Sequence, residues 1–420
     1  MSASGSGLPA HELERLRRRT VWALVAGVAL GSTGHIAAVT VATIAAKDIA
    51  GSSAWTGAPG AAVVLGAAVG AVALSQSMVR RGRRFGLVTG YALGVVGAFI
   101  GTAAVVLASL PLLLIGTFLI GFGNASNQLS RYAAADLVPP ARHASAIGTV
   151  VWGATIGAVI GPNLAAPAGV IAEGLGLPVL SGAYLVPVVF VGAAALISFL
   201  LLRPDPYALA YSSPSDLDGS DRSVSVSLAS VLARPNVPVA IVALIAVQFV
   251  MVLIMTMTPL HMADHGHDLA AVGLVISGHT FGMFGLSPLS GRLSDRYGRV
   301  PVILAGLATV ATAALLAAIA PPTGGVVLFL ALFLLGYGWN LGYVAGSALL
   351  TSGLSLAERT RIQGLTDGLI WSSAAAASLG SGVVLAFASF AALGLLGAAL
   401  VVVPFMIVLA RRSAVAAARP

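Results

Sequence analysis

The sequence predicts an all-α membrane protein with twelve transmembrane helices arranged as two pseudo-symmetric six-helix bundles. Three observations carry that prediction. The chain is 58% hydrophobic and 9% charged, with a mean hydropathy of +0.98, whereas a soluble domain is about half apolar. Runs of roughly 20 apolar residues recur, each long enough to cross a hydrocarbon core of about 30 Å as a helix. The arginines fall in alternate loops, the positive-inside pattern of a multi-pass protein. A net charge of +8 would suggest nucleic acid as partner for a soluble chain. Here the distribution assigns that charge to topology, and no nucleic-acid partner is expected.

Residues 1–20 are polar and read as a cytoplasmic N-terminal segment. The apolar run that follows has no convincing cleavage site, so it reads as a retained first span and not a signal peptide. Spans near 21–46, 57–79, 85–108, 111–137, 144–168 and 180–202 build the first bundle, 21–202. Residues 203–236, rich in Ser, Asp and Pro, read as a cytoplasmic linker. Spans near 237–262, 270–290, 300–320, 325–350, 363–388 and 391–410 build the second bundle, 237–411, before a cytoplasmic tail at 412–420. Basic residues cluster in the N-terminal segment, the loops after even-numbered spans and the tail, and only Lys47 falls in an opposite-side loop. Both termini and the linker are therefore expected in the cytoplasm, with the chain in the cell membrane. The absence of cysteine excludes disulfides and thiolate ligation.

The six-to-six division invites a search for a repeat at about 215 residues. Gly121-Phe-Gly123-Asn124 in span four is echoed by Gly336-Tyr-Gly338-Trp-Asn340 in span ten. The loop GRLSDRYGR, Gly291 to Arg299, lies opposite QSMVRRGRR, Gln76 to Arg84. In the first of these, Gly291 and Gly298 permit a tight turn against neighbouring helices, Asp295 can cap a helix N-terminus, and Arg296 and Arg299 can bridge to acidic groups. Symmetry points to the start of span five as the neighbour of Asp295. The N-terminal copy keeps the basic residues but lacks the Asp and the glycine spacing. The loop resembles the cytoplasmic signature of the major facilitator superfamily, Gly-x-x-x-Asp-Arg-x-Gly-Arg, and with the span count the resemblance covers nearly the whole chain. It implies two bundles with a solute path between them and alternating access. That fold carries many solutes and names none.

No Gly-rich phosphate loop with Lys, no His-Glu-x-x-His and no nucleophile elbow is present, so neither an enzyme nor an ATP-driven pump is expected. No cofactor is expected either. Ionisable groups within spans are costly and are functional candidates. His35 reads as either a histidine bonded to Ser32 or a neighbouring helix, or a proton or solute site. Asp367 reads as either a helix-end cap or a proton carrier, and Arg131 and Asp136 lie near an interface. Asn124, Asn127, Gln128 and Asn340 either line a path or bond between helices.

Between Met251 and Met283 the chain places five of its eight methionines and four of its seven histidines. Met251 and Met255, and then His279 and Met283, stand four apart on one face of spans seven and eight. At 1.5 Å per residue the four reach similar depth near the midplane. Thioether and imidazole suit Cu(I). His261, Met262, His265 and His267 gather at the outer loop as a possible capture site. The paired motifs resemble those of the CcoA-type bacterial copper importers, the CalT family. That resemblance implies a copper site at Met251, Met255, His279 and Met283, with copper as transported substrate. The chain departs from that family in having no cysteine. Close relatives within it import riboflavin, so riboflavin or another small organic solute is the alternative, with drug or metabolite export as a third. Trp22, Tyr91, Trp152, Tyr337, Trp339, Tyr343 and Trp371 could stack on a flavin ring but are dispersed in sequence. The expected partners are the transported solute or metal ion and the lipid bilayer, and the chain is expected to be a monomer.

Overall fold

A computed structural model describes residues 9–51, 55, 57–210, 228–267, 269–321 and 325–417. The described elements are helices, and twelve of the helical segments are long and apolar enough to cross a membrane. The first six spans are α1 (Ala10–Ala50), α2 (Ala58–Arg81), α3 (Arg83–Val106), α4 (Leu110–Ala135), α5 (His143–Gly174) and α6 (Ser181–Leu201). Short helices α7 (Pro206–Ala210) and α8 (Leu228–Leu232) flank residues 211–227, so most of the expected linker lies outside the described residues.

Span seven is α9 (Asn236–Met255) continued by α10 (Thr258–Asp264), and span eight is α11 (Leu269–Phe284) continued by α12 (Ser287–Tyr297). The last four are α13 (Arg299–Ile319), α14 (Gly325–Leu350), α15 (Leu356–Phe387) and α16 (Phe390–Ala417). Helix α1 starts about ten residues before the apolar run. Between Pro9 and Thr20 the chain offers Glu, Leu and Arg, all good helix formers, and neither Gly nor a second Pro to stop it. It ends on Gly51 in the left-handed region, φ 64°, whose N–H bonds back to Lys47.

Span eight is interrupted at Gly285–Leu286, and Asn340 of α14 splints the gap. Its Nδ2 donates to the Met283 carbonyl and the Ser287 hydroxyl, each at 2.6 Å, while Ser290 donates to its Oδ1. Asn340 therefore bonds between helices, one of the two roles expected of it.

By its internal contacts the chain divides into two compact units. The first comprises Met1–Pro139, Gly153–Val226 and Leu356–Trp371; the second comprises Pro140–Trp152, Ser227–Ser355 and Ser372–Pro420. In the first, α1 packs on α4 and α6, α3 packs on α4 and α6, and α2 packs on α4. In the second, α9 packs on α14 and α16, α13 packs on α14 and α16, and α11 and α12 pack on α14. The second pattern repeats the first. Its seams repeat too: a Cβ at Gly94 of α3 would stand 3.1 Å from Gly123 Cα, and one at Gly306 of α13 would stand 2.9 Å from the Gly338 carbonyl. Small residues let such helices close on each other in lipid. Large apolar side chains such as Leu65, Val326 and Leu379 stay exposed, as a bilayer-facing surface requires.

The turns joining α2 to α3 and α12 to α13 match as well. Gly82 has φ 89° and ψ 166°, and Gly298 has φ 95° and ψ 155°, a region open to glycine and strained for other residues. The N-terminal copy of the signature thus keeps the turn glycine, contrary to the expectation from its spacing.

Candidate functional site

The methionine and histidine pairs sit on α9 and α11, and both helices pack on α14. Met251 is buried in the α9 packing, and Met255 ends that helix half-buried. His279 is 0% exposed. Its Nδ1 donates to the Leu332 carbonyl of α14 at 2.8 Å, and its Nε2 is buried without a hydrogen-bonding partner. α11 thus aims the His279 Nδ1 at the backbone of α14 and leaves its Nε2 bare. At the outer end, the rings of His261 and His265 stand 4.4 Å apart, and His261 stacks on Phe390 at 4.2 Å with an interplanar angle of 6°. Met262, the next residue along α10, is fully buried. His267 lies partly exposed in the following turn.

A cluster that sequence reading did not assemble lies on the same three helices. Trp339 of α14 donates its indole N–H to Gln248 Oε1 of α9 at 2.7 Å. It stacks on Tyr343 at 4.4 Å and 17° and meets Phe284 of α11 edge-on at 5.8 Å. Nearly two helical turns earlier, Phe333 stacks on Tyr337 at 6.5 Å. Gln248 had a signal: it is the one polar residue between Asn236 and Thr256.

In the first unit, Tyr91 of α3 donates to Asn127 Oδ1 of α4 at 3.0 Å, and Asn127 Nδ2 is buried without an acceptor. Asn124 is buried one turn away. His35 of α1 is half-buried, and its Nδ1 is buried without a partner, so Ser32 does not satisfy it.

Charged groups cluster at the end of α4. Arg83 is fully buried and reaches Asp136 at 2.8 Å and Gln363 Oε1 at 2.7 Å. Burial pushes the Asp136 carboxyl up, with Arg83 opposing it. Arg131 pairs with Asp367 at 2.6 Å, and its guanidinium lies 4.1 Å over the Tyr132 ring. Asp367 stands eleven residues inside α15, so it is an ion-pair partner and not a helix-end cap. Gln363 and Asp367 are four apart on one face of α15, which explains why Leu356–Trp371 belongs to the first unit. In the second unit, Asp295 accepts from the Ala144 and Ser145 N–H groups at 3.2 and 2.9 Å, capping the start of α5. Gly291 packs on Ala144, and Arg299 donates to the Pro140 carbonyl and the Ser352 hydroxyl. Arg296 lies over the ring of Tyr297 at 5.3 Å. The α3 N-terminus is capped instead by Asp205, which takes the Arg83 and Arg84 N–H groups at 3.1 and 2.9 Å. The first residues of the expected linker are therefore anchored.

A family model described as Major Facilitator Superfamily matches residues 21–379, and matches again over 239–419. YddS, an uncharacterised MFS-type transporter of Bacillus subtilis strain 168, is 36% identical over 405 residues, covering 95% of this chain and 92% of its own. The riboflavin transporter RfnT of Brucella anthropi is 27% identical over 374 residues, covering 88% of this chain and 89% of its own. Among solved structures, the proton:xylose symporter XylE is similar with a TM-score of 0.75 at 14% identity, covering 94% of this chain and 95% of its own. A bacterial homologue of the iron transporter ferroportin gives 0.72 at 16%, covering 94% and 99%. At such identity these structures speak to the fold alone.

Proposed function

The chain belongs to the major facilitator superfamily and is a secondary transporter of that class; from that premise we propose that it imports a small organic solute bearing a planar aromatic ring, of the flavin kind. The observation that carries this reading is the Gln248–Trp339–Tyr343 cluster with Phe284 beside it. It gathers an amide and three aromatic rings on α9, α11 and α14, and stacking plus a few placed polar groups is what a planar heterocycle needs for recognition. The relative that carries riboflavin supports the same solute class. In this proposal the chain works by alternating access as a monomer in the cell membrane. Both termini are cytoplasmic, and it has neither catalytic activity nor a resident cofactor.

A second reading, copper import, is favoured by one observation. His279 has its Nδ1–H anchored on a carbonyl and its Nε2 lone pair bare, the arrangement a metal-ligating imidazole adopts. Met251, Met255 and Met283 would add thioethers after a change in packing. One experiment separates the two readings: parallel uptake of labelled riboflavin and labelled copper by cells expressing the wild type, Trp339→Ala or Met255→Ala. The flavin reading expects riboflavin uptake that Trp339→Ala abolishes and Met255→Ala spares. Copper uptake lost in Met255→Ala, without riboflavin uptake in the wild type, would replace it with the metal reading.

A further inference from the structure

We propose that Asn127 and His35 form a polar solute site within the first unit, reading a carbonyl flanked by a ring N–H, the edge of an imide or lactam. This rests on the organic-solute reading. Asn127 is 6% exposed, and its orientation is fixed from two sides. Its Oδ1 takes the hydroxyl of the fully buried Tyr91. Against the same oxygen lies Gly31 of α1, where a methyl group would collide with Oδ1 and stand 2.9 Å from the Tyr91 ring. With the oxygen so placed, Nδ2 is turned away, and neither of its N–H groups finds an acceptor. A buried amide donor left unmet is costly, so its retention in a fixed orientation points to a partner that arrives from outside.

His35 follows Gly31 by four residues, which puts it on the same face of α1 about 6 Å further along. Its Nδ1 also lacks a partner. The two groups have complementary chemistry. Asn127 Nδ2 can only donate, which suits a carbonyl oxygen, and a neutral imidazole nitrogen can accept, which suits a ring N–H beside that carbonyl.

The test uses the full-length protein purified in detergent and two probes, riboflavin and riboflavin methylated at its ring imide nitrogen, with binding followed by flavin fluorescence. The wild type should bind riboflavin about tenfold more tightly than the methylated probe, the worth of one well-made hydrogen bond. His35→Ala should bind the two probes alike. Asn127→Ser, which keeps a small polar side chain, should weaken both by about tenfold, and thermal melting shows whether either variant is folded. Damage of a merely structural kind would weaken both probes in His35→Ala and leave their ratio intact, which overturns the assignment while the flavin reading stands. A wild type that binds neither probe overturns the flavin reading and this inference with it.

Discussion

Arg131 donates to Asp367 at 2.6 Å with both side chains almost wholly buried, and so joins α4 to a helix 236 positions later in the chain. Breaking such a pair from one side leaves a guanidinium without its counter-charge in a dry site. We expect Asp367→Ala to destabilise the protein by about 3–5 kcal/mol, with the double change Arg131→Met and Asp367→Leu recovering part of the loss. Thermal melting in detergent checks both. A double variant less stable than Asp367→Ala would show that the pair contributes more than the charge it neutralises.

Asp295 takes two backbone N–H groups at the start of α5. Its replacement by Ala should cost about 1–2 kcal/mol, with Asn losing less because one oxygen still accepts. Hydrogen exchange at Ala144 and Ser145 is the local readout. Unchanged protection at those two amides in Asp295→Ala would remove the cap from the account.

The Trp339–Gln248 bond can be separated from the stacking around it. Trp339→Phe keeps an aromatic face on Tyr343 but strips the donor from Gln248, leaving a buried amide oxygen at a cost of about 1–3 kcal/mol. Adding Gln248→Leu should restore most of that stability. If the single and double variants melt together, the bond contributes nothing.

Gly31 offers a packing test with no charge involved. Gly31→Ala would press on Asn127 Oδ1 and the Tyr91 ring, and overpacking of this kind costs about 1–3 kcal/mol. Circular dichroism melts of this variant beside Gly60→Ala, where nothing lies within 4 Å of the added carbon, give the comparison. Equal melting of the two would mean that the α1–α4 contact yields freely.

What the sequence revealed and what it concealed divide along the range of the forces involved. Twelve spans were legible because burial in lipid demands about 20 apolar residues in a row, a property of neighbours in the chain. The site of the Asp295 cap was legible from the repeat, since the start of span five lies at the symmetric place. The partners of Arg83 were not, because Gln363 lies 280 positions away and nothing local marks it. For Met251, Met255, His279 and Met283 the spacing fixed which residues share a helix face. It could not say that α14 stands against both helices and takes the His279 Nδ1 on its backbone. The break in span eight had a visible cause in Gly285 and Pro288, two residues that weaken a continuous helix. Its splint, Asn340, sat in the sequence as one more polar residue in a membrane span.

The first unit is not finished when the first six spans have been made, because Leu356–Trp371 belongs to it. Synthesis runs from the N-terminus, so Arg83 and Arg131 are made long before Gln363 and Asp367 exist. Until the ribosome has delivered span eleven, two buried arginines lack part of their final company. A chain severed in the linker would keep Arg83 without Gln363 and Arg131 without Asp367.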